Sequence, residues 1–164
     1  QQAVGPHKGR WMLGGVGLGI ETPVHEHVTG ALLLDALRGP TLSRAQGSVT
    51  GWGLGTSGLV SYNVTFDPVL VALLAGPRLE WHEVEARFLA SSRHHFRYWQ
   101  AFLAGGARLA WRLSRRLALV GQSEMAWSPH RKVFLRESTG RPFLTTAIWT
   151  WHVGTGIQLT FNAL

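Results

Sequence analysis

Large apolar residues recur at every second position along most of the chain, a period that matches a β-strand with one apolar face. In residues 97–113, RYWQAFLAGGARLAWRL, one parity carries Trp, Leu and Ala, and the other carries Tyr, Gln and Arg. Residues 151–161, WHVGTGIQLTF, repeat the pattern, with glycine and polar residues opposite the large apolar ones. Both stretches are therefore predicted to be strands.

Two tryptophans enclose the apolar face of residues 97–113. Trp99 and Trp111 are twelve residues apart, with small and aliphatic residues between them. At ~3.3 Å per residue and a strand tilt near ~40°, the two rings would lie roughly 30 Å apart along a barrel axis. This is about the distance between the two aromatic girdles of a membrane barrel.

Periodicity and turn residues predict an all-β chain with eight strands. They lie near 9–20, 27–38, 48–62, 69–82, 84–91, 97–112, 117–128 and 146–161. The connections at 113–116 and at His82–Glu83 are short, whereas the one over 128–142 is long, an alternation typical of membrane barrels. Eight is an even count, as an antiparallel single-chain bacterial barrel requires. We therefore expect residues 1–164 to form one domain, an eight-stranded antiparallel up-and-down transmembrane β-barrel.

Composition favours a surface that does not meet water. Hydrophobic residues make up 45% of the chain and charged residues only 15%, against roughly 25% charged residues in typical soluble domains. No stretch approaches the ~20 apolar residues of a membrane-spanning helix. A soluble lipocalin-like ligand-binding barrel is the alternative, because parity alone does not say which face points inward. The separation of Trp99 and Trp111 favours the membrane barrel.

Three stretches of the chain resemble the small OmpA-like outer-membrane β-barrels of Gram-negative bacteria: LLAGPRLEW (73–81), FLAGGARLAWRLSRRLALVGQSEM (102–125) and VGTGIQLTF (153–161). The resemblance covers residues 69–161. It implies an eight-stranded barrel that is exported with a cleaved signal peptide and inserted into the outer membrane by the barrel-assembly machinery. The positions similar to that machinery's C-terminal signal are Ile157, Leu159 and Phe161.

Charged residues on the predicted inward parity balance one another. Four acids and four arginines lie there: Asp35, Glu80, Glu85, Glu124, Arg78, Arg87, Arg108 and Arg112. A charge buried alone costs several kcal/mol, so we expect these groups to form ion pairs that fill the lumen. Arg108 and Glu124 are the expected partners, because their strands are neighbours across the 113–116 turn. The interior is therefore predicted to be plugged.

Aromatic and basic residues are also placed where the rims of a barrel would need them. The predicted aromatic girdle consists of Trp99, Trp111, Trp127 and Trp151. Much of the net charge of +7 falls in loops, where basic side chains could meet lipopolysaccharide phosphates: Arg93, Arg97, Arg131, Lys132, Arg136 and Arg141. Nucleic-acid binding is disfavoured, because the tryptophans alternate with aliphatic residues instead of joining a basic patch.

Motifs for catalysis or cofactor binding are weak. GLGTSG (53–58) matches the dinucleotide-binding G-x-G-x-x-G, but a strand-like segment follows it where a helix is needed. His25 and His27 could share a metal, but no third ligand is near them. Lipid A deacylases, which are similar in size, use a His-x-Ser-Asn stretch, and no histidine here has serine two residues later.

We therefore expect no cofactor, no metal and no enzymatic activity. The expected role is that of an integral outer-membrane barrel, either structural or a subunit of a larger cell-envelope assembly. Its partners would be outer-membrane lipid, lipopolysaccharide, the insertion machinery and other envelope proteins, and not nucleic acid. A lipid A-modifying enzyme built on the same barrel is the alternative.

Overall fold

The computed structural model describes residues 14–39, 41–44, 47–88, 93–135, 142–146 and 148–160. All regular secondary structure in these ranges is β-strand, so the predicted all-β class is confirmed. The part of the chain that the structure describes has no helix long and apolar enough to cross a membrane.

Ten strands follow one another along the described part of the chain. Their bounds are β1 Gly14–His25, β2 Val28–Arg38, β3 Leu42–Arg44, β4 Gly47–Phe66, β5 Val69–Phe88, β6 Arg93–Arg112, β7 Leu117–Trp127, β8 Val133–Leu135, β9 Pro142–Thr145 and β10 Trp149–Leu159. The seven long strands form one antiparallel up-and-down sheet in the order β1-β2-β4-β5-β6-β7-β10. The short strand β3 pairs with the start of β4, and β8 pairs with β9. The sheet is not closed into a barrel, because no backbone pairing joins the described residues of β1 and β10.

The predicted break at His82–Glu83 is wrong. β5 continues past both residues, and its ladder with β6 runs on without interruption. Each side chain has a partner, Glu80 for His82 and Arg97 for Glu83, so neither polar group forces the chain to turn. Two predicted strands are therefore one, and the main path within the described residues has seven strands.

The connections define two ends of the sheet. At the turn end, residues 26–27, 67–68 and 113–116 join consecutive strands. At the opposite end, which we call the loop end, lie the longer connections from β2 to β4, from β5 to β6 and from β7 to β10. Because the main path has an odd number of antiparallel strands, β1 and β10 both run from the loop end to the turn end.

The sheet is strongly curved. In a flat sheet with strands ~4.8 Å apart, β6 would lie about 19 Å from β1, and β10 about 29 Å from β1. Arg108 on β6 nevertheless forms an ion pair with Glu21 on β1. Gln158 Nε2 on β10 lies 3.3 Å from Glu21 Oε2. The two edge strands therefore approach each other near the turn end, and the sheet has a concave and a convex face.

Side chains alternate between these faces. On β6, Phe102, Ala104 and Ala110 are buried on the concave face, whereas Leu103 and Leu109 project from the convex face with exposures of 61% and 56%. The apolar core on the concave face is small and consists of Leu59, Phe102, Ala104 and Ala126, with Ala31 and Leu33 packed against it. Much of the remaining concave face is polar.

Candidate functional site

Arg78, on β5, is the centre of a polar cluster on the concave face. Its Nε donates to Glu80 Oε1 at 2.6 Å, its Nη2 to Asp35 Oδ2 at 2.7 Å, and its Nη1 to Ser57 Oγ at 3.0 Å. Glu124 Oε1 lies 3.9 Å from Arg78 Nη1. Arg78 is 5% exposed, and Glu80 and Glu124 are each 2% exposed. This central network therefore ties β2, β4, β5 and β7 together away from solvent.

Glu80 extends the central network to two histidines. Its Oε2 lies 2.9 Å from His82 Nε2 on the same strand, and its Oε1 lies 3.4 Å from His152 Nε2 on β10. His152 Nε2 also lies 3.1 Å from Thr150 Oγ1. The His82 ring stacks on Tyr98 with the ring centroids 5.0 Å apart. One carboxylate therefore links the centre of the sheet to its last strand.

Arg108 belongs to a separate group near the turn end. Its guanidinium contacts Glu21 on β1, which also accepts a hydrogen bond from Gln158 Nε2. The predicted Arg108–Glu124 pair is wrong: Arg108 stands opposite Gln122 in the ladder, and its side chain reaches across the concave face to β1. Glu124 accepts a hydrogen bond from Gln122 Nε2 at 3.3 Å.

Three residues predicted to point inward do so only in part or not at all. Glu85 and Arg87 lie on the convex face, because β5 runs through the predicted break and their parity is opposite to that of Arg78. Arg112 is exposed at the last position of β6. The other five predicted residues lie together on the concave face: Asp35, Arg78, Glu80, Arg108 and Glu124.

The charges on the concave face do not cancel as expected. Among the residues that the structure describes, four carboxylates face two guanidinium groups within the sheet: Glu21, Asp35, Glu80 and Glu124 against Arg78 and Arg108. Two buried atoms, Glu124 Oε1 and Arg108 Nε, have no hydrogen-bond partner. Within this part of the sheet, the concave face therefore has two carboxylates in excess of its buried arginines.

On the convex face, an aromatic cluster marks a boundary across β4, β5 and β6. Trp81 pairs with Trp99 in the ladder, and the Trp52 ring lies edge-on to Trp81 with the centroids 4.8 Å apart. On the turn-end side of this cluster, the convex positions of β6 carry alanine, leucine and glycine as far as Trp111. Trp111 is itself 59% exposed and stands opposite Val69.

On the loop-end side of the aromatic cluster, the same face carries ion pairs. Arg97 Nη2 lies 3.2 Å from Glu83 Oε1, and Glu85 Oε1 lies 2.6 Å from Arg87 Nε and 2.8 Å from Arg93 Nε. The hydrogen bond from Arg87, together with the charges of both arginines, lowers the pKa of Glu85 below its usual value. The convex face thus changes from apolar to charged side chains within two residues of the Trp81–Trp99 pair.

The predicted girdle residues all lie exposed on the convex face. Trp99, Trp111, Trp127 and Trp151 have exposures of 56%, 59%, 40% and 74%. Among the residues that the structure describes, three further tryptophans on this face lie outside the predicted girdle: Trp52, Trp81 and Trp149. Trp52 and Trp149 each lie two residues from another large apolar residue, so the period of two could have identified them. Trp81 was harder to identify, because the predicted break at His82–Glu83 directly follows it.

The loop and C-terminal positions are only partly within the described residues. Arg93 and Arg97 are already engaged by carboxylates, and Arg131 is exposed. Lys132 Nζ lies 5.7 Å from the centroid of the Tyr98 ring, within range of a cation–π contact. Ile157 and Leu159 project from the convex face with exposures of 69% and 59%. Three predicted positions lie outside the described residues: Arg136, Arg141 and Phe161.

The sequence matches no protein-family model and no curated protein. Within the described ranges, no three His, Asp or Glu side chains are placed to hold a metal ion. The most informative chemical feature is therefore the distribution of charge itself, with carboxylates and guanidinium groups buried on one face and aliphatic side chains exposed on the other.

Glu21 and Ser57 are members of the site that sequence reasoning missed. Glu21 follows Gly15, Gly17 and Gly19 on one parity, so a strand extended by one residue beyond the predicted 9–20 would have included it. Ser57 carries no charge and lies in the GLGTSG stretch. No local sequence pattern distinguishes a serine that accepts a hydrogen bond from arginine, as Ser57 does, from a small residue needed only for close packing.

Proposed function

We propose that the protein is an integral outer-membrane β-barrel whose convex face meets lipid and whose interior is plugged by ion pairs. One observation carries the proposal, namely that charge is inside and apolar surface outside. Arg78, Glu80 and Glu124 are at least 95% buried, whereas 27 large apolar side chains of the described residues are exposed. A soluble monomer rarely exposes a contiguous apolar patch of more than a few hundred Å².

The same observation weighs against the soluble lipocalin-like alternative. Such a barrel keeps its large aliphatic and aromatic side chains around an internal cavity and its charges outside. Here Leu103 and Trp111 lie outside, and the concave positions between them hold Ala104 and the buried Arg108. Fully burying one Leu or Met side chain contributes about 1.5–3 kcal/mol, so leaving so many of them in water would forfeit most of the available hydrophobic stabilisation.

The dimensions of the apolar band support a bilayer as its solvent. The band on β6 extends from Trp99 to Trp111, and the ion pairs of Glu83 and Glu85 begin just beyond Trp99. With a tilt of 35–45°, this length of strand rises roughly 30 Å, close to the ~25 Å apolar band and flanking girdles of membrane barrels. We place the Trp81–Trp99 pair at one membrane interface and Trp111 at the other.

Connection lengths support an orientation. Short turns face the periplasm and longer loops face outward in bacterial barrels, which would put the loop end of this sheet at the cell surface. Arg93, Arg97 and Lys132 would then lie at the level of lipopolysaccharide phosphates. We propose closure into an eight-stranded antiparallel barrel, in keeping with the resemblance to small OmpA-like proteins. Its role would be structural or within a larger envelope assembly, without enzymatic activity.

Whether the folded chain needs detergent or lipid to stay in solution tests this proposal. We expect the refolded protein to stay monodisperse only in detergent or lipid, and to migrate faster on a gel before boiling than after it. Leu103→Lys and His95→Lys, both on the convex side of β6, form a matched pair, because Glu83 and Glu85 lie beside His95 and can accept a positive charge there. Only the change in the apolar band should impair insertion into vesicles. A protein that is monodisperse in detergent-free buffer would contradict the proposal.

A further inference from the structure

Two arginines stand directly opposite each other where the ladder of β5 and β6 ends. Arg87 and Arg93 are partners in this ladder and lie on the convex face at the loop end. Arg87 Nε lies 2.6 Å, and Arg93 Nε 2.8 Å, from the same atom, Glu85 Oε1. Like charges directly opposite each other destabilise a sheet. One carboxylate offsets only one of the two charges, so these three side chains together carry a net positive charge.

The shared carboxylate leaves the outer parts of both guanidinium groups accessible. Each arginine turns its Nε toward Glu85, and no described residue forms a hydrogen bond with the Nη atoms of either one. The side chains of Arg87 and Arg93 are 59% and 54% exposed. A guanidinium group presents N–H donors in a fixed fork that matches the oxygens of a phosphate. Because Glu85 holds the two groups side by side, one phosphate can accept hydrogen bonds from both.

Acidic residues elsewhere in the chain are too few to neutralise the arginine pair. Residues 89–92, LASS, which join β5 to β6, include no acidic residue. Glu83, two residues from Glu85, is already paired with Arg97. Of the nine acidic residues, all but one lie within the described ranges, and the exception is in residues 136–141, RESTGR, together with two arginines. Charge complementarity therefore favours an anion from outside the chain.

The height of the arginine pair above the apolar band indicates which anion it can meet. Along β5, Glu85 is four residues beyond Trp81, and Arg87 is six. At ~3.3 Å per residue and a tilt near ~40°, the guanidinium groups lie roughly 10–15 Å beyond the Trp81–Trp99 pair. The headgroup layer of a phospholipid bilayer is only about 5–8 Å thick on each side. The pair therefore lies above the phosphodiesters of phospholipids, at a level that phosphates on a larger, sugar-based headgroup reach.

We infer that Arg87 and Arg93 form a binding site for a phosphate group on the sugar headgroup of a glycolipid in the outer leaflet. Their Nη atoms donate to the phosphate oxygens, while their Nε atoms stay with Glu85. This inference rests on the proposed membrane location and assigns the lipid contact there to one pair of side chains. Lys132 is not part of the site, because its Nζ lies over the ring of Tyr98.

Calorimetric titration of the folded full chain in detergent micelles tests the inference. The probes are lipopolysaccharide, the same lipid after enzymatic dephosphorylation, and phosphatidylglycerol. We expect the phosphorylated glycolipid to bind at least about 10-fold more tightly than its dephosphorylated form, the equivalent of ~1.4 kcal/mol. Equal affinities would overturn the phosphate site. Phosphatidylglycerol that binds as tightly as the phosphorylated glycolipid would overturn the assignment to a sugar headgroup.

Variants test whether the two guanidinium forks form the site. Arg87→Gln combined with Arg93→Gln should abolish the preference for the phosphorylated form. Arg115→Gln removes the same kind of exposed charge at the turn end and should keep the preference. Arg87→Lys combined with Arg93→Lys keeps both charges but loses the forks, so most of the preference should disappear. A full preference in this lysine variant would show diffuse attraction between charges instead of a site.

Inorganic phosphate distinguishes a lipid site from a site for the free ion. It should displace the glycolipid only at much higher concentrations, and displacement at equal concentrations would overturn the lipid as occupant. A chain that needs detergent but shows no preference for phosphorylated glycolipid would overturn the site alone. A chain that is monodisperse in detergent-free buffer and still shows the preference would contradict the membrane proposal and leave the phosphate site standing.

Discussion

Arg108 on β6 forms its ion pair with Glu21 on β1, although β2, β4 and β5 separate these strands in the sheet. Arg108 is 7% exposed, so the contact is made inside the curved sheet and not across an open surface. The pair joins an edge strand to the middle of the sheet and helps to hold its curvature. It also leaves Glu124 to the central network around Arg78.

Removing the negative charge of Glu21 and removing that of Glu124 should have opposite effects on the free energy of unfolding. Glu21→Gln deprives Arg108 of its only ion-pair partner among the described residues and should lower the free energy of unfolding by about 3 kcal/mol, the low end for a broken buried pair. Glu124→Gln reduces an excess of negative charge and should leave stability unchanged or raise it. Urea unfolding in detergent micelles measures both. A larger loss for Glu124→Gln than for Glu21→Gln would contradict the observed pairing.

Loss of the central arginine should be among the most damaging single changes. Arg78→Met keeps a long side chain but leaves Asp35, Glu80 and Glu124 close together without a guanidinium group, and we expect a loss of about 3–5 kcal/mol. Arg87→Met is the matched control on the same strand, because the Arg87 side chain is 59% exposed and its pair with Glu85 is on the surface. It should cost less than about 1 kcal/mol. Equal losses of unfolding free energy in Arg78→Met and Arg87→Met would show that Arg78 does not hold the buried network together.

The loss of folding free energy caused by a new charge on the convex face should depend on the depth of that charge in the bilayer. Leu103 lies within the apolar band of β6, and Leu103→Arg should destabilise the inserted protein by about 2–4 kcal/mol. His95→Arg, on the same face but beyond the Trp81–Trp99 pair, should have little effect, because Glu83 and Glu85 already lie beside it. Folding free energies in lipid vesicles compare the two. Similar costs at the two positions would place the interface elsewhere.

Tryptophan depth offers a second measure of the same boundary. In variants that retain only Trp99 or only Trp111, both rings should be quenched best by lipids brominated near the headgroup and poorly by lipids brominated near the chain end. Trp127→Phe and Trp151→Phe keep an aromatic ring at the other predicted girdle positions in these variants. Strongest quenching by bromine near the bilayer centre would show that the rings are not at the interfaces.

The buried network also predicts the electrical behaviour of the inserted protein. With Arg78 held by Glu80, Asp35 and Ser57, no continuous water path is expected along the concave face, and the closed barrel that we propose should show no steady conductance in planar bilayers. Arg78→Ala removes the side chain at the centre and leaves the carboxylates, so any leak that it opens should favour cations. Stable, well-resolved openings with Arg78 in place would contradict a plugged interior.

Local sequence pattern determined the β-strands and their faces. The period of two along β6 and β10 separates outward Trp99, Leu103 and Trp151 from inward Phe102 and His152, because consecutive side chains of any strand point to opposite faces. The turn at 113–116 is also visible in the sequence, since polar residues interrupt the alternation there. These features depend only on neighbouring residues.

The continuity of β5 through His82 and Glu83 could not be predicted from the local sequence pattern alone. His82 and Glu83 are consecutive polar residues that look like a turn, yet their partners on β5 and β6 keep them in one strand. One misplaced break changes the strand count and reverses the predicted face of the residues that follow it in the same strand, which is why the pattern wrongly predicts Glu85 and Arg87 to face the interior.

Tertiary structure alone decided which charges meet. The ion pairs of Arg108 with Glu21 and of Arg78 with Asp35 join strands that are not adjacent, so they depend on the curvature that the sheet accumulates over several ladders. Curvature is a sum of small twists and registers along the whole sheet, and no single stretch of sequence encodes it. The sequence therefore determined which side chains share a face of each strand, whereas the folded sheet determined which of them come within reach of one another.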